Sequence, residues 1–107
     1  MDFSIDIEEM AQKLEFDKED VEMLLEAFYE GAVENLEILD NAIDEKNYEA
    51  IAQAAHSIKG SAANLLLDEI ALLAKEIELS AKSQDSSYDY TQSYKSLSMN
   101  IKSLYDG

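Results

Sequence analysis

Apolar residues recur every three or four positions along most of this chain, which is the spacing of one face of an α-helix. The longest series runs from Lys18 to about Asp44, and three more follow from Tyr48 to about Ala63, from Leu67 to Ala81 and from Tyr90 to Leu104. No segment shows the strict alternation of a β-strand. The pattern therefore predicts four amphipathic helices joined by short connections. The apolar positions of the longest series are Val21, Leu24, Leu25, Phe28, Ala32, Leu36, Leu39 and Ile43.

The N-terminal part carries two signals for the start of a helix. Asp6 followed by Glu9 has the spacing of a capping box and predicts a short helix after Asp6. Asp17 is placed to begin the long helix, and Phe16 packed on Val21 would form a hydrophobic staple there. The short helix would carry Ile7, Met10, Ala11 and Leu14 on its apolar side.

The helix-breaking and helix-capping residues of the chain also favour a helical fold. Proline is absent and only three glycines occur. Asn47 is placed to cap the second long helix, and residues 84–87 form a polar break before the last one. The expected fold is all-α, an antiparallel four-helix bundle with a short additional N-terminal helix over one end. A length of 107 residues suits one domain, so residues 1–107 are expected to form a single domain.

Charge narrows the range of partners. The chain has 24 acidic residues against 8 lysines and a formal net charge of −16. We therefore expect no binding to nucleic acid or to anionic membranes, because both would repel it. The acidity fits solvated helix faces, or an acidic docking surface for a basic partner.

Other features of composition narrow the class further. With no cysteine, disulfides and thiolate metal sites are excluded. No apolar run approaches the roughly 20 residues of a membrane span, and the first residues lack the pattern of a signal peptide. We expect a cytoplasmic protein.

The residue that suggests chemistry is the single histidine, His56, in the second long helix. Lys59 and Gly60 follow it by three and four positions, so a helix places all three on one side. A neutral imidazole is a nucleophile near neutral pH, an ammonium group can neutralise phosphoryl charge, and glycine removes bulk. The combination suggests a histidine that accepts and returns a phosphoryl group.

A helical wheel indicates where the imidazole points. At about 100° per residue, His56 lies about 140° from Ile51, the centre of the apolar stripe, and should face solvent. Its neighbours one and two turns away include Ala52, Gln53 and Ala63. Most of these side chains are small, so another protein could reach the ring. We expect these three residues to lie in a docking surface.

Lys59 and Gly60 support this interpretation without proving it. Glycine inside a helix costs about 1 kcal/mol relative to alanine, so stability alone gives little reason to keep Gly60. Lys59 lies between the apolar stripe and His56, and its ammonium group is expected to reach the ring. The residues alone leave open an ordinary surface histidine, a lysine in a surface ion pair and a glycine at a close helix contact.

At these residues the sequence resembles the histidine-containing phosphotransfer (Hpt) domains of two-component phosphorelays. Their hallmark is His-x-x-Lys-Gly followed by small residues, often Ser-Ser/Ala-Ala-Asn-Leu-Gly. From His56 the chain reads His-Ser-Ile-Lys-Gly-Ser-Ala-Ala-Asn-Leu-Leu, a specific match over about a dozen residues. The looser family pattern covers nearly the whole chain. One departure is Leu66, where many members carry glycine.

The resemblance implies that His56 is phosphorylated, that Lys59 steadies the phosphoryl group and that Gly60 opens access. It implies response-regulator receiver domains as partners, with a receiver aspartyl phosphate as donor, acceptor or both, and an upstream (hybrid) histidine kinase. The divalent cation would belong to the receiver. No cofactor or metal is therefore expected on this chain.

The chain shows no glycine-rich nucleotide loop and no kinase signature. We therefore expect a phosphocarrier and not an enzyme with its own ATP site, and the resemblance implies a covalent phosphohistidine intermediate. A monomer is expected because a complete bundle needs no second chain, although the sequence leaves the oligomeric state open. The alternative is an acidic helical adaptor that binds a partner without covalent chemistry, in which His56 is incidental. The sequence identifies neither the modified imidazole nitrogen nor the donor and acceptor.

Overall fold

The computed structural model describes residues 3–105, which form five α-helices. They are α1 (Ile7–Leu14), α2 (Lys18–Glu45), α3 (Tyr48–Asn64), α4 (Asp68–Lys82) and α5 (Tyr90–Lys102). Within residues 3–105, strand-like pairing is limited to an isolated antiparallel bridge between Phe3 and Tyr105. The predicted all-α class is confirmed.

Helices α2 to α5 pack in a closed ring. α2 contacts α3, α3 contacts α4, α4 contacts α5, and α5 contacts α2, while α1 packs on α2. The short connections over residues 46–47, 65–67 and 83–89 make successive helices antiparallel. This is the predicted four-helix bundle with a short N-terminal helix. No helix in residues 3–105 is both long enough and apolar enough to cross a bilayer.

The packed face of α3 sets the direction of every other side chain on that helix. Ile51, Ala55, Ile58 and Ala62 are each at most 1% exposed and form part of one hydrophobic core shared by all five helices. Burying this stripe fixes the rotation of α3 about its own axis. The residues on the opposite side, His56 among them, are therefore held towards solvent.

Two of the predicted helix starts have the expected side-chain caps. The carboxylate of Asp6 accepts a hydrogen bond from the backbone N–H of Glu9 at 3.1 Å. The Asn47 side-chain oxygen accepts one from the N–H of Ala50 at 3.1 Å. Each bond satisfies a backbone donor that has no partner inside its helix.

The predicted staple at the start of α2 is wrong. Phe16 is 50% exposed, although Val21 is fully buried, and Asp17 makes no side-chain cap. The reason lies in the end of α1, where Glu15 adopts a left-handed backbone and the N–H of Phe16 bonds to the carbonyl of Ala11 at 3.0 Å. This C-terminal motif directs the chain so that the Phe16 ring points outward. In α2 itself, one member of the predicted apolar series, Leu24, is 40% exposed.

The departure from the family pattern, Leu66, lies where α3 ends. Leu66 has φ 59°, in the left-handed region that glycine adopts without strain. The N–H of Leu67 bonds to the carbonyl of Ala62 at 2.9 Å, which closes the helix. The backbone geometry served by glycine is thus retained with a leucine, at a cost of about 1–2 kcal/mol.

Candidate functional site

His56 lies in the middle of α3, and its side chain is 64% exposed, as the helical wheel predicts. Gln53, Gly60 and Ala63 are exposed on the same side of the helix. A β-carbon added at Gly60 would meet nothing within 4 Å. Ala52 differs from the other expected docking residues because it is only 8% exposed, and it shares a groove with residues of α4. The outer side of the imidazole is open.

The inner side of the imidazole contacts a residue that the sequence analysis does not single out. Nδ1 of His56 lies 2.8 Å from Oε2 of Glu78 on α4. Glu78 is 1% exposed, and among residues 3–105 it is the one charged side chain in the buried class. The sequence does offer a way to recognise Glu78, because this residue lies between the apolar residues Ala74 and Ala81 at helical spacing. All three are buried on the packed face of α4. An ionisable residue on the apolar face of a helix usually has a specific partner.

Two lysines compensate the buried charge of Glu78. Nζ of Lys59 lies 2.6 Å from Oε1, and Nζ of Lys82 lies 3.1 Å from Oε2. The Lys59 contact is a close ion pair. An unpaired carboxylate at this depth would cost several kcal/mol. The two ammonium groups are what make the buried carboxylate tolerable.

These contacts determine the protonation state of Glu78. Burial by itself raises the pKa of the carboxyl, because the charged form loses hydration. The contacts with Lys59, Lys82 and His56 outweigh burial and lower the pKa of Glu78 from 4.5 to about 2. Glu78 is therefore a carboxylate at neutral pH, and it can only accept hydrogen bonds.

The state of Glu78 in turn selects the tautomer of His56. Since Oε2 of Glu78 is only an acceptor, Nδ1 of His56 must carry the hydrogen. In the neutral ring, Nε2 is then unprotonated and has a free lone pair. The arrangement leaves Nε2 as the ring nitrogen with an available lone pair.

The position of the Lys59 ammonium group bears on one expectation. The sequence analysis expects this group to reach the imidazole; in the structure its contact is with Oε1 of Glu78, the carboxylate that also contacts the ring, and 31% of the Lys59 side chain is exposed. The buried carboxylate attracts the ammonium group more strongly than a neutral ring does. His56 and Lys59 are thus joined through the two oxygens of one carboxylate.

An open groove with a volume of about 710 Å³ runs beside the ring. Its lining residues come from α3, from α4 and from the turn after α4, and they are Tyr48, Glu49, Ala52, Gln53, His56, Ser57, Glu78, Ala81, Lys82 and Gln84. The groove therefore reaches His56 from the side of α4. Within residues 3–105, no group of three or more His, Cys, Asp or Glu side chains is arranged to hold a metal ion.

The fold and site define a helical bundle that presents a single exposed histidine. The family model of the Hpt domain matches residues 23–99, more than half of the chain, and the chain belongs to the Hpt domain family. Hpt domains are phosphocarriers that take part in histidine phosphotransfer in phosphorelays, with receiver domains and histidine kinases as partners. The matched range includes most of the four bundle helices and leaves α1 outside. A search of curated proteins and a search of solved structures gave no match.

Proposed function

We propose that this chain is a histidine phosphocarrier in which His56 exchanges a phosphoryl group with the aspartate of a receiver domain. The observation that carries the proposal is the hydrogen bond between Nδ1 of the exposed imidazole and the buried carboxylate of Glu78. It leaves the Nε2 lone pair directed at the open side of α3, where a second protein can approach.

The transfer step needs no proton to leave the ring. The Nε2 lone pair of His56 attacks the phosphorus of the receiver's aspartyl phosphate in line with the leaving oxygen. The N–P bond forms, the P–O bond breaks, and the aspartate departs as a carboxylate with the electron pair. The Nδ1 hydrogen stays on the ring, where Glu78 offsets the positive charge that develops. The reverse reaction follows the same path.

The other site residues would position the phosphoryl group and give the receiver access to the ring. Lys59, held on Glu78 near the ring, would steady the phosphoryl oxygens, and Gly60 would leave room for the receiver. Gln53 and Ala63 supply exposed docking surface on the same side of α3. The divalent cation that assists the reaction would be bound by the receiver, and this chain would carry no cofactor. We further propose a monomeric, cytoplasmic carrier, formed by residues 1–107 as one domain, with a hybrid histidine kinase upstream.

Transfer from a phosphorylated receiver to the purified chain tests the proposal. The wild-type chain should gain an acid-labile label, and His56→Gln should gain none. Incubation with ATP and Mg²⁺ alone should leave the wild-type chain unlabelled, since phosphate must come from a partner. Label on His56→Gln would remove this residue from the mechanism, and absence of transfer with every receiver of the source organism would favour the adaptor alternative.

A further inference from the structure

The single negative charge of the Glu78 carboxylate is in contact with two positively charged ammonium groups. Two ammonium groups contact it, those of Lys59 at 2.6 Å and Lys82 at 3.1 Å, in addition to the imidazole of His56. With a neutral ring, these side chains leave one positive charge in surplus, in a chain whose formal net charge is −16. Glu49 in the same groove carries the opposite charge, so it is the nearness of the two ammonium groups to the exposed ring, and not the net charge of the groove, that favours an incoming anion.

The two lysines differ in where they stand. Lys82 lines the groove together with His56, and its side chain is 61% exposed, whereas Lys59 is absent from the groove lining and 31% exposed. The Lys82 ammonium and Nδ1 of His56 also contact the same oxygen, Oε2 of Glu78. The flexible four-carbon stem of a lysine allows its ammonium group to move from that oxygen towards an anion on the ring. The other charged residue of the groove is Glu49, in the first turn of α3.

We propose that Lys82 is a second phosphoryl-binding cation of this site. Its side chain moves as the N–P bond forms, so that the ammonium group leaves Glu78 and contacts the phosphoryl oxygens. This inference rests on the proposed function, because it requires His56 to be the phosphorylated residue. Lys59 would then serve the phosphoryl group from α3, and Lys82 would serve it from the groove on α4. While the ring is unphosphorylated, both ammonium groups remain paired with Glu78.

Potassium phosphoramidate tests the inference without a receiver domain. Nε2 of His56 attacks the phosphorus of phosphoramidate, the N–P bond of the ring forms, the P–N bond of the reagent breaks, and ammonia leaves. The initial rate is followed by ³¹P NMR for the wild type and for Lys82→Gln. The matched control is Lys75→Gln, which removes the same charge from an exposed position on the same helix. Circular dichroism at the reaction temperature establishes that all three proteins are folded.

We expect Lys82→Gln to react about threefold more slowly or worse, the factor that a unit charge some 6 Å away gives even at the dielectric constant of water. Lys75→Gln should react at close to the wild-type rate. Equal rates for the two variants would overturn the inference, whether both match the wild type or both are slowed by the loss of net charge. Failure of the proposed function looks different, since the wild-type chain would then react with phosphoramidate but exchange phosphate with no receiver.

Discussion

At the scale of single residues, the two nitrogens of His56 have different surroundings. Nδ1 faces a buried carboxylate at 2.8 Å, and the rest of the side chain is 64% exposed. A free histidine could present either nitrogen as the nucleophile. Here a residue 22 positions further along the chain, Glu78, makes the choice. The hydrogen-bonding state of the His56 ring therefore depends on the packing of α3 against α4 and not on the motif alone.

Without Glu78, the imidazole of His56 should no longer be held in the tautomer with the hydrogen on Nδ1. In the wild type, long-range ¹H–¹⁵N NMR spectra of the neutral ring should show a protonated Nδ1 and an unprotonated Nε2. In Glu78→Ala the spectra should shift towards Nε2–H, and phosphoryl transfer from a receiver should slow by about tenfold or more, because that tautomer has no lone pair at the outer nitrogen.

The matched control for this substitution is Glu76→Ala, which removes an exposed carboxylate from the same helix. It should leave both the tautomer and the transfer rate at their wild-type values. An unchanged tautomer in Glu78→Ala, in a protein whose methyl spectrum shows an intact core, would contradict the role given to Glu78.

At the scale of helices, two glycines allow stability and access to be separated. Gly60 on α3 and Gly31 on α2 both lie inside helices, and a β-carbon at either position would meet nothing within 4 Å. Each therefore lowers helix stability without giving a packing advantage within residues 3–105. Only Gly60 is one turn from His56, so only there can the missing side chain serve the approach of a partner.

Replacing each glycine by leucine should separate the two effects. Gly60→Leu and Gly31→Leu should both raise the free energy of unfolding, each by roughly 0.5–1 kcal/mol, as measured by urea denaturation. Transfer from a phosphorylated receiver should slow by about tenfold or more in Gly60→Leu only, since a misplaced phosphoryl group loses its alignment. Normal transfer by Gly60→Leu would refute the access role of this glycine.

The helices also show what the sequence can and cannot predict. Periodicity and caps place α3 within a residue of its observed bounds, because the Asn47 cap and the Ile51 stripe act locally. The direction of the Phe16 ring depends on how α1 ends, and the partner of Nδ1 depends on which residue of α4 lies opposite His56. Both features depend on how one helix packs against another. The spacing of apolar residues within a single helix does not determine that packing. The acidic residue at position 78 was visible, but only the structure shows what it contacts.

At the scale of the whole molecule, Glu78 links stability to pH. Its pKa is about 2 in the folded chain against 4.5 for the ordinary carboxyl. A carboxyl with a lowered pKa stabilises the fold fully above its ordinary value, and this contribution is lost as the pH falls towards the folded-state value. Acidification also relieves repulsion in a chain of net charge −16, which acts in the opposite direction. Comparison with a variant is needed to isolate the Glu78 contribution.

The difference in free energy of unfolding between the wild type and Glu78→Gln should therefore shrink between about pH 5 and pH 2.5. Urea denaturation at several pH values measures it, because repulsion among the remaining carboxylates affects both proteins alike. Glu76→Gln, which removes an exposed carboxylate, should not reproduce this narrowing. Curves for the wild type and Glu78→Gln that stay parallel throughout would show that the ion pairs of Glu78 do not stabilise the fold.

The openness of the helix face around His56 has a consequence for the lifetime of a stored signal. Within residues 3–105 the ring has only Glu78 as a hydrogen-bonding partner, and a β-carbon added at Gly60 would meet nothing within 4 Å. A phosphoryl group on Nε2 would be as accessible to water as to a receiver. If His56 is phosphorylated as proposed, the phosphohistidine would be open to hydrolysis, and the fraction of phosphoryl groups that reach a receiver would depend on how quickly transfer follows.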